Sequence, residues 1–154
     1  MGAKAVSYRE IGARALQFLE VLEERGIQKG EKVVLLSENR PEWVIIYLAV
    51  TGSGRIVVPI LTDFQPEQIE NIIGHSEAKL IMVSEKLRPK LSPTAAAMSL
   101  AVESILTKDL PEFPERKAFE TQITEKFPQV EEDSLAAILY TSGTTGHSKG
   151  VMLT

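Results

Sequence analysis

Four short apolar runs constrain this chain more than anything else in it: Val33-Val34-Leu35-Leu36, Ile56-Val57-Val58-Pro59-Ile60, Leu80-Ile81-Met82-Val83 and Leu135 to Tyr140. None shows the polar–apolar alternation of a half-exposed strand. Strands of that kind are buried on both faces, which is the situation in a parallel sheet covered by helices on each side. Segments of helical periodicity precede and separate the runs. Ser7 and Glu10 form a capping-box pattern ahead of Ile11, Ala15, Phe18, Leu19 and Leu22, and Gly26 follows as the closing residue. Pro41 suits the first position of a second helix, apolar almost all round from Trp43 to Val50 and ended by Gly52 and Gly54. Pro66 opens a third helix through Ile69, Ile72 and Ile73, with Gly74 as its end.

Helices near 8–25, 41–51 and 66–74 thus alternate with parallel strands near 33–37, 56–60, 80–84 and 135–140. That order predicts an α/β fold, a doubly wound and mostly parallel sheet with right-handed crossovers and helices on both faces. A helical piece at Ala95-Ala96-Ala97-Met98 and a weak strand from Val102 to Leu106 complete an alternating part over 1–106. Residues 107–133 change character: Pro111, Pro114 and Pro128 punctuate a stretch rich in Glu, Asp and Lys, read as a surface connection. The last part, 134–154, is a strand, a loop and a second strand at Val151-Met152-Leu153-Thr154.

The loop is where the chemistry concentrates. Thr141-Ser142-Gly143-Thr144-Thr145-Gly146-His147-Ser148-Lys149-Gly150 packs hydroxyls, glycines and a lysine into one turn at a strand end. Glycines let backbone N–H groups approach an anion, hydroxyls donate to phosphate oxygens, and a lysine brings a compact positive charge. In open α/β sheets, ligands bind at that end of the strands. A Gly/Ser/Thr turn without a ligand has a similar composition, so the order of the residues has to decide. It is not the G-x-x-x-x-G-K-[ST] loop of the P-loop NTPases, because Ser148 precedes the lysine and Gly150 follows it.

That order resembles the signature Y-T-S-G-[ST]-T-G-x-P-K-G-V of the AMP-forming acyl-CoA synthetases, the adenylate-forming enzymes. The match runs from Tyr140 through Gly146 and again over Lys149, Gly150 and Val151, with Ser148 in place of the usual proline. Ser7-Tyr8-Arg9-Glu10, Asn39-Arg40-Pro41-Glu42-Trp43 and Val57-Val58-Pro59 extend the resemblance over nearly the whole chain. It implies part of the large N-terminal domain of such an enzyme, with ATP phosphates held by Thr141, Ser142, Gly143, Thr144, Thr145, Gly146 and Lys149. It also implies a carboxylic acid, ATP and coenzyme A as substrates and Mg2+ as cofactor. No residue of this chain matches the family's catalytic lysine, ribose-binding aspartate or metal-binding acid, so the chain reads as an N-terminal fragment inactive by itself. Thr144-Thr145 and the helix start at Arg40-Pro41-Glu42-Trp43 look most like a long-chain fatty acid–CoA ligase. An amino-acid-activating adenylation domain is the alternative within the family, and a non-catalytic nucleotide-binding or interaction fragment the alternative outside it.

Composition narrows the remaining classes. The net charge of -4 argues against nucleic acid as a partner, and the absence of cysteine removes disulfides and thiolate metal sites. Trp43 to Val50, the longest apolar stretch, is too short to span a bilayer, and a cytoplasmic location is expected. Trp43 reads as core rather than as an adenine platform, and His75 as a group serving its own helix end. Asp63 has no acid–base companion nearby, and His147 stands at the family's variable loop position. A fragment of this kind is expected to expose apolar surface around the second helix and at unpaired sheet edges, which favours self-association.

Overall fold

The computed structural model describes residues 6–107, 116–127, 129–141 and 149–154. In chain order these form α1 (Tyr8–Glu24), β1 (Lys32–Leu36), α2 (Pro41–Gly52), β2 (Ile56–Pro59), α3 (Pro66–Ser76), β3 (Leu80–Val83), α4 (Pro93–Ala97), β4 (Ser99–Ala101), α5 (Ser104–Thr107), α6 (Arg116–Lys126), β5 (Ala137–Thr141) and β6 (Lys149–Leu153). Six strands make one sheet in the order β4-β3-β1-β2-β5-β6. All neighbours run parallel except β5 and β6, which form an antiparallel hairpin. The doubly wound, mostly parallel α/β fold is therefore the observed one.

The unbroken apolar runs have the predicted cause. Val33, Val34, Leu35 and Leu36 are all fully buried. Alternate residues face opposite ways, so Val33 and Leu35 pack with Phe18, Ile45, Ile46 and Ala49 of α1 and α2. Val34 and Leu36 pack with Ile69, Ile72 and Ile73 of α3 on the other face.

Local signals set the helix limits. Ser7 accepts a hydrogen bond from the Glu10 amide at 3.2 Å, but the Glu10 carboxylate turns to Arg14 at 3.4 Å instead of completing the box. Gly26, at φ +70°, closes α1 as expected. Gly74 does not end α3: the helix runs on to Ser76, and Glu77 makes the left-handed cap at φ 55°. The strand expected from Val102 to Leu106 lies earlier, at β4. Val102 still donates to Val83 at 2.9 Å, and the chain then turns into α5, where the Ser104 hydroxyl donates to the Ala101 carbonyl at 2.7 Å.

The stretch read as a polar connection carries α6. Its apolar residues are few, yet Phe119, Ile123 and Phe127 recur every fourth position and make one narrow stripe. The stripe lands on glycines. A Cβ on Gly12 of α1 would sit 3.0 Å from the Phe119 ring, and one on Gly52 would sit 3.0 Å from Phe127. Two bare backbone positions thus bring α6 onto α1 and α2.

As expected, α2 is apolar on more than its buried side. Ile45, Ile46, Ala49 and Val50 are buried, while Val44 and Leu48 are exposed. Trp43 is only half-buried and stacks on Tyr47 with ring centroids 5.1 Å apart. Exposed apolar side chains recur on the hairpin at Leu139, Val151, Met152 and Leu153.

At the start of α2, Arg40 makes two hydrogen bonds to the Glu42 carboxylate, at 2.9 and 3.0 Å, and a third to Glu103. Glu42 is buried, whereas the guanidinium stays partly wet. Removing Arg40 leaves a carboxylate stranded in the interior. We expect Arg40→Ala to cost about 2–3 kcal/mol, below a fully buried pair because of that residual hydration. The midpoint of urea denaturation at unchanged m-value measures it.

Candidate phosphate-binding site

Because β1, β2, β3 and β5 are parallel, their carboxyl ends share one edge of the sheet. β1 leads to β2 on one side and β3 leads to β4 on the other, so the connections diverge between β1 and β3. A crevice at such a divergence is the usual ligand position in open α/β sheets. Glu38 follows β1 there. The Ser84 hydroxyl after β3, which no well-formed hydrogen bond satisfies, is the largest influence on it. Together with the backbone and with Lys86, 3.4 Å away, Ser84 holds the Glu38 carboxyl below its ordinary range. Arg40 lies on the same edge, and its bonds to Glu42 and Glu103 push its already high pKa further up.

Two of the predicted phosphate-holding residues lie within the described structure. Thr141 ends β5, Lys149 begins β6, and the two are cross-strand partners, both exposed. Directly opposed residues of an antiparallel pair project to the same face, so a hydroxyl and an ammonium stand side by side at the mouth of the loop. Ser142, Gly143, Thr144, Thr145 and Gly146, like His147, lie outside the described residues.

One step inside the mouth, Tyr140 pairs with Gly150. This glycine's φ is not positive, so conformational freedom is not the reason for it. A Cβ there would come within 2.9 Å of Ile138 Cγ2 and 3.3 Å of the Tyr140 ring. Gly150 therefore makes room for the tyrosine ring, which joins the core beneath α3. Burial pushes the Tyr140 phenol above its usual pKa and keeps it protonated. Its Oη lies 2.7 Å from His75 Nδ1, with the two rings edge-on at 85°. The sequence reading left His75 at its own helix end. The partner it meets is 65 residues away, and nothing local announces it.

Among the described residues no group of three or more His, Cys, Asp or Glu side chains is placed to hold a metal ion, so no residue is assigned to Mg2+. Among the same residues no helix is long and apolar enough to cross a membrane.

The fold and the hairpin define a doubly wound α/β protein with a hydroxyl and a lysine side by side at the carboxyl edge of its sheet. The profile of the AMP-binding enzymes, described as "AMP-binding enzyme", matches residues 1–154, and the chain belongs to that family. It is 34% identical over 151 residues to tyrocidine synthase 2 of Brevibacillus parabrevis, covering 97% of this chain and 4% of that protein. Fatty acyl-CoA synthetase A of Dictyostelium discoideum is 27% identical over 165 residues, with 98% and 25% covered. The chain thus spans a quarter or less of these relatives' length. The crystal structure of apo MatB from Rhodopseudomonas palustris superposes with a TM-score of 0.75 at 28% identity, over 99% of this chain and 30% of that one.

The Gly150 contact generates a test. Gly150→Val forces a branched side chain against Ile138 and Tyr140, and we expect it to destabilise the protein by about 1–3 kcal/mol, with Gly150→Ala costing less. Thermal denaturation of the two variants checks the order.

Proposed function

We propose that this chain supplies the ATP phosphate-holding part of an enzyme that activates a carboxylic acid. The carboxylate attacks the α-phosphate of ATP, forming a mixed anhydride with AMP and releasing pyrophosphate. The thiol of coenzyme A then displaces AMP to give a thioester. The observation that carries this reading is the hairpin at the carboxyl edge, with Thr141 facing Lys149 across the ends of the signature loop. Charge builds on the departing pyrophosphate, and preorganised donors aimed at it stabilise the transition state. Thr141, Ser142, Gly143, Thr144, Thr145, Gly146 and Lys149 are the proposed donors. No catalytic residue is assigned within this chain, and the ligands of Mg2+ are left unassigned.

The acyl substrate is proposed to be a long-chain fatty acid. Thr144-Thr145, the helix start at Arg40-Pro41-Glu42-Trp43 and the similarity to a fatty acyl-CoA synthetase support this. The higher identity to a tyrocidine synthase favours the second reading, an amino-acid-activating adenylation domain. Pyrophosphate exchange into ATP, assayed on the whole protein with fatty acids and with amino acids, separates them. Exchange driven by amino acids alone overturns the fatty-acid assignment. Exchange with neither, together with no ATP binding, overturns the adenylation reading.

The same assay probes the lysine. Lys149→Ala removes one cation facing a triphosphate, so we expect adenylate formation to slow by roughly 1.5–3 kcal/mol, about ten- to a hundredfold. Thioester formation from preformed acyl-adenylate should change far less, because pyrophosphate has already left. Equal damage to both half-reactions would count against a phosphate contact.

A further inference from the structure

We propose that His75 is a positioning residue for the phosphate loop: it pins the carboxyl end of β5 to α3 and thereby fixes where the loop begins. The proposal rests on the phosphate-holding role given to that loop above. It starts from a gap in the sheet. Along β2, Ile56 donates to Glu31 and Ile60 to Leu35, both at 2.9 Å and both toward β1, while Val57 donates to Ala136 at 3.0 Å, toward β5. Successive residues of a strand point their N–H groups to opposite sides. The next donor toward β5 would be residue 59, and Pro59 has no N–H.

Pro59 therefore offers β5 an acceptor but no donor, and the two strands keep a single register pair, Val57 with Ala137. Beyond it, Ile138 to Thr141 pair only with β6 among the described residues. Among the described residues that strand is the outermost of the sheet.

Tyr140 ties the end of β5 to α3. It is 5% exposed, its ring lies in the cluster with Val58, Ile69, Ile72 and Ile73, and Gly150 leaves space for it. The hydroxyl reaches His75 in the last turn of α3, and this is the one side-chain hydrogen bond between 138–141 and the rest of the described fold. Apolar packing tolerates small sliding of a ring, whereas a hydrogen bond of 2.7 Å sets direction as well as distance. Thr141 is the next residue, so the bond fixes the first phosphate donor.

A histidine that only satisfies a buried phenol would affect stability and nothing else. Two measurements on the whole protein distinguish the roles. In amide hydrogen exchange without ligand, His75→Leu and Tyr140→Phe should each speed exchange at 139–141 and 149–151 by about two- to tenfold, with β1 and β3 unchanged and the double variant no faster than either single one. In ATP titrations at a temperature where all variants are folded, His75→Leu should raise KM for ATP by a similar factor with a smaller change in kcat. His75→Gln, which keeps a hydrogen-bonding group, should restore it. Faster exchange spread evenly over β1 and β3, or a lower Tm with KM for ATP unaltered, overturns the proposal. A wild-type protein that does not bind ATP overturns the phosphate-loop reading on which the proposal rests, and the wild-type control identifies that failure separately.

Discussion

β1 is hydrogen-bonded on both sides and covered on both faces, and the rest of the structure is arranged to keep it so. Each N–H and C=O of a strand buried in this way needs a partner, because an unpaired backbone group away from water costs about as much as a lost hydrogen bond. β2 and β3 supply those partners on either side. α1 and α2 exclude water on one face and α3 on the other. Parallel neighbours need crossover connections rather than tight hairpins. That need brings all their carboxyl ends to one edge, so the site's location follows from how the central strand is satisfied.

The antiparallel hairpin answers a different demand. The phosphate-holding role proposed for the loop calls for two strand ends held close, and adjacent antiparallel strands do this without a crossover. Thr141 and Lys149 become neighbours because Ala137 pairs with Leu153 and the register carries through to the mouth.

Much of this could be read from the sequence, and the reasons are specific. Val33 to Leu36, Ile56 to Ile60 and Leu80 to Val83 gave clear signals because strands buried on both faces admit no polar residue. The signature from Tyr140 to Val151 was legible because its order, unlike its composition, is rare among turns. Two classes of feature stayed hidden. Among the described side chains, α6 and the residue after it pack with Phe119, Ile123 and Phe127, too thin a stripe to stand out from its charges, and the glycines that receive it resemble ordinary helix punctuation. His75 and Tyr140 meet only after α3 has crossed the sheet, so no local pattern could pair them. The end of α3 was misjudged for a related reason: Gly74 keeps helical geometry, and Glu77 takes the left-handed conformation that glycine more often supplies.

The way α6 is seated has a mechanical corollary. A helix resting on bare backbone at Gly12 and Gly52 gains close contact, but it interlocks with few side chains. Its ion pair to α1, Lys126 with Glu23 at 3.8 Å, lies at the surface and contributes little. Elements with so small a buried stripe open at lower free energy than the sheet they cover. Opening of α6 would bare the rings of Phe119 and Phe127 and the helix backbone at Gly12 and Gly52.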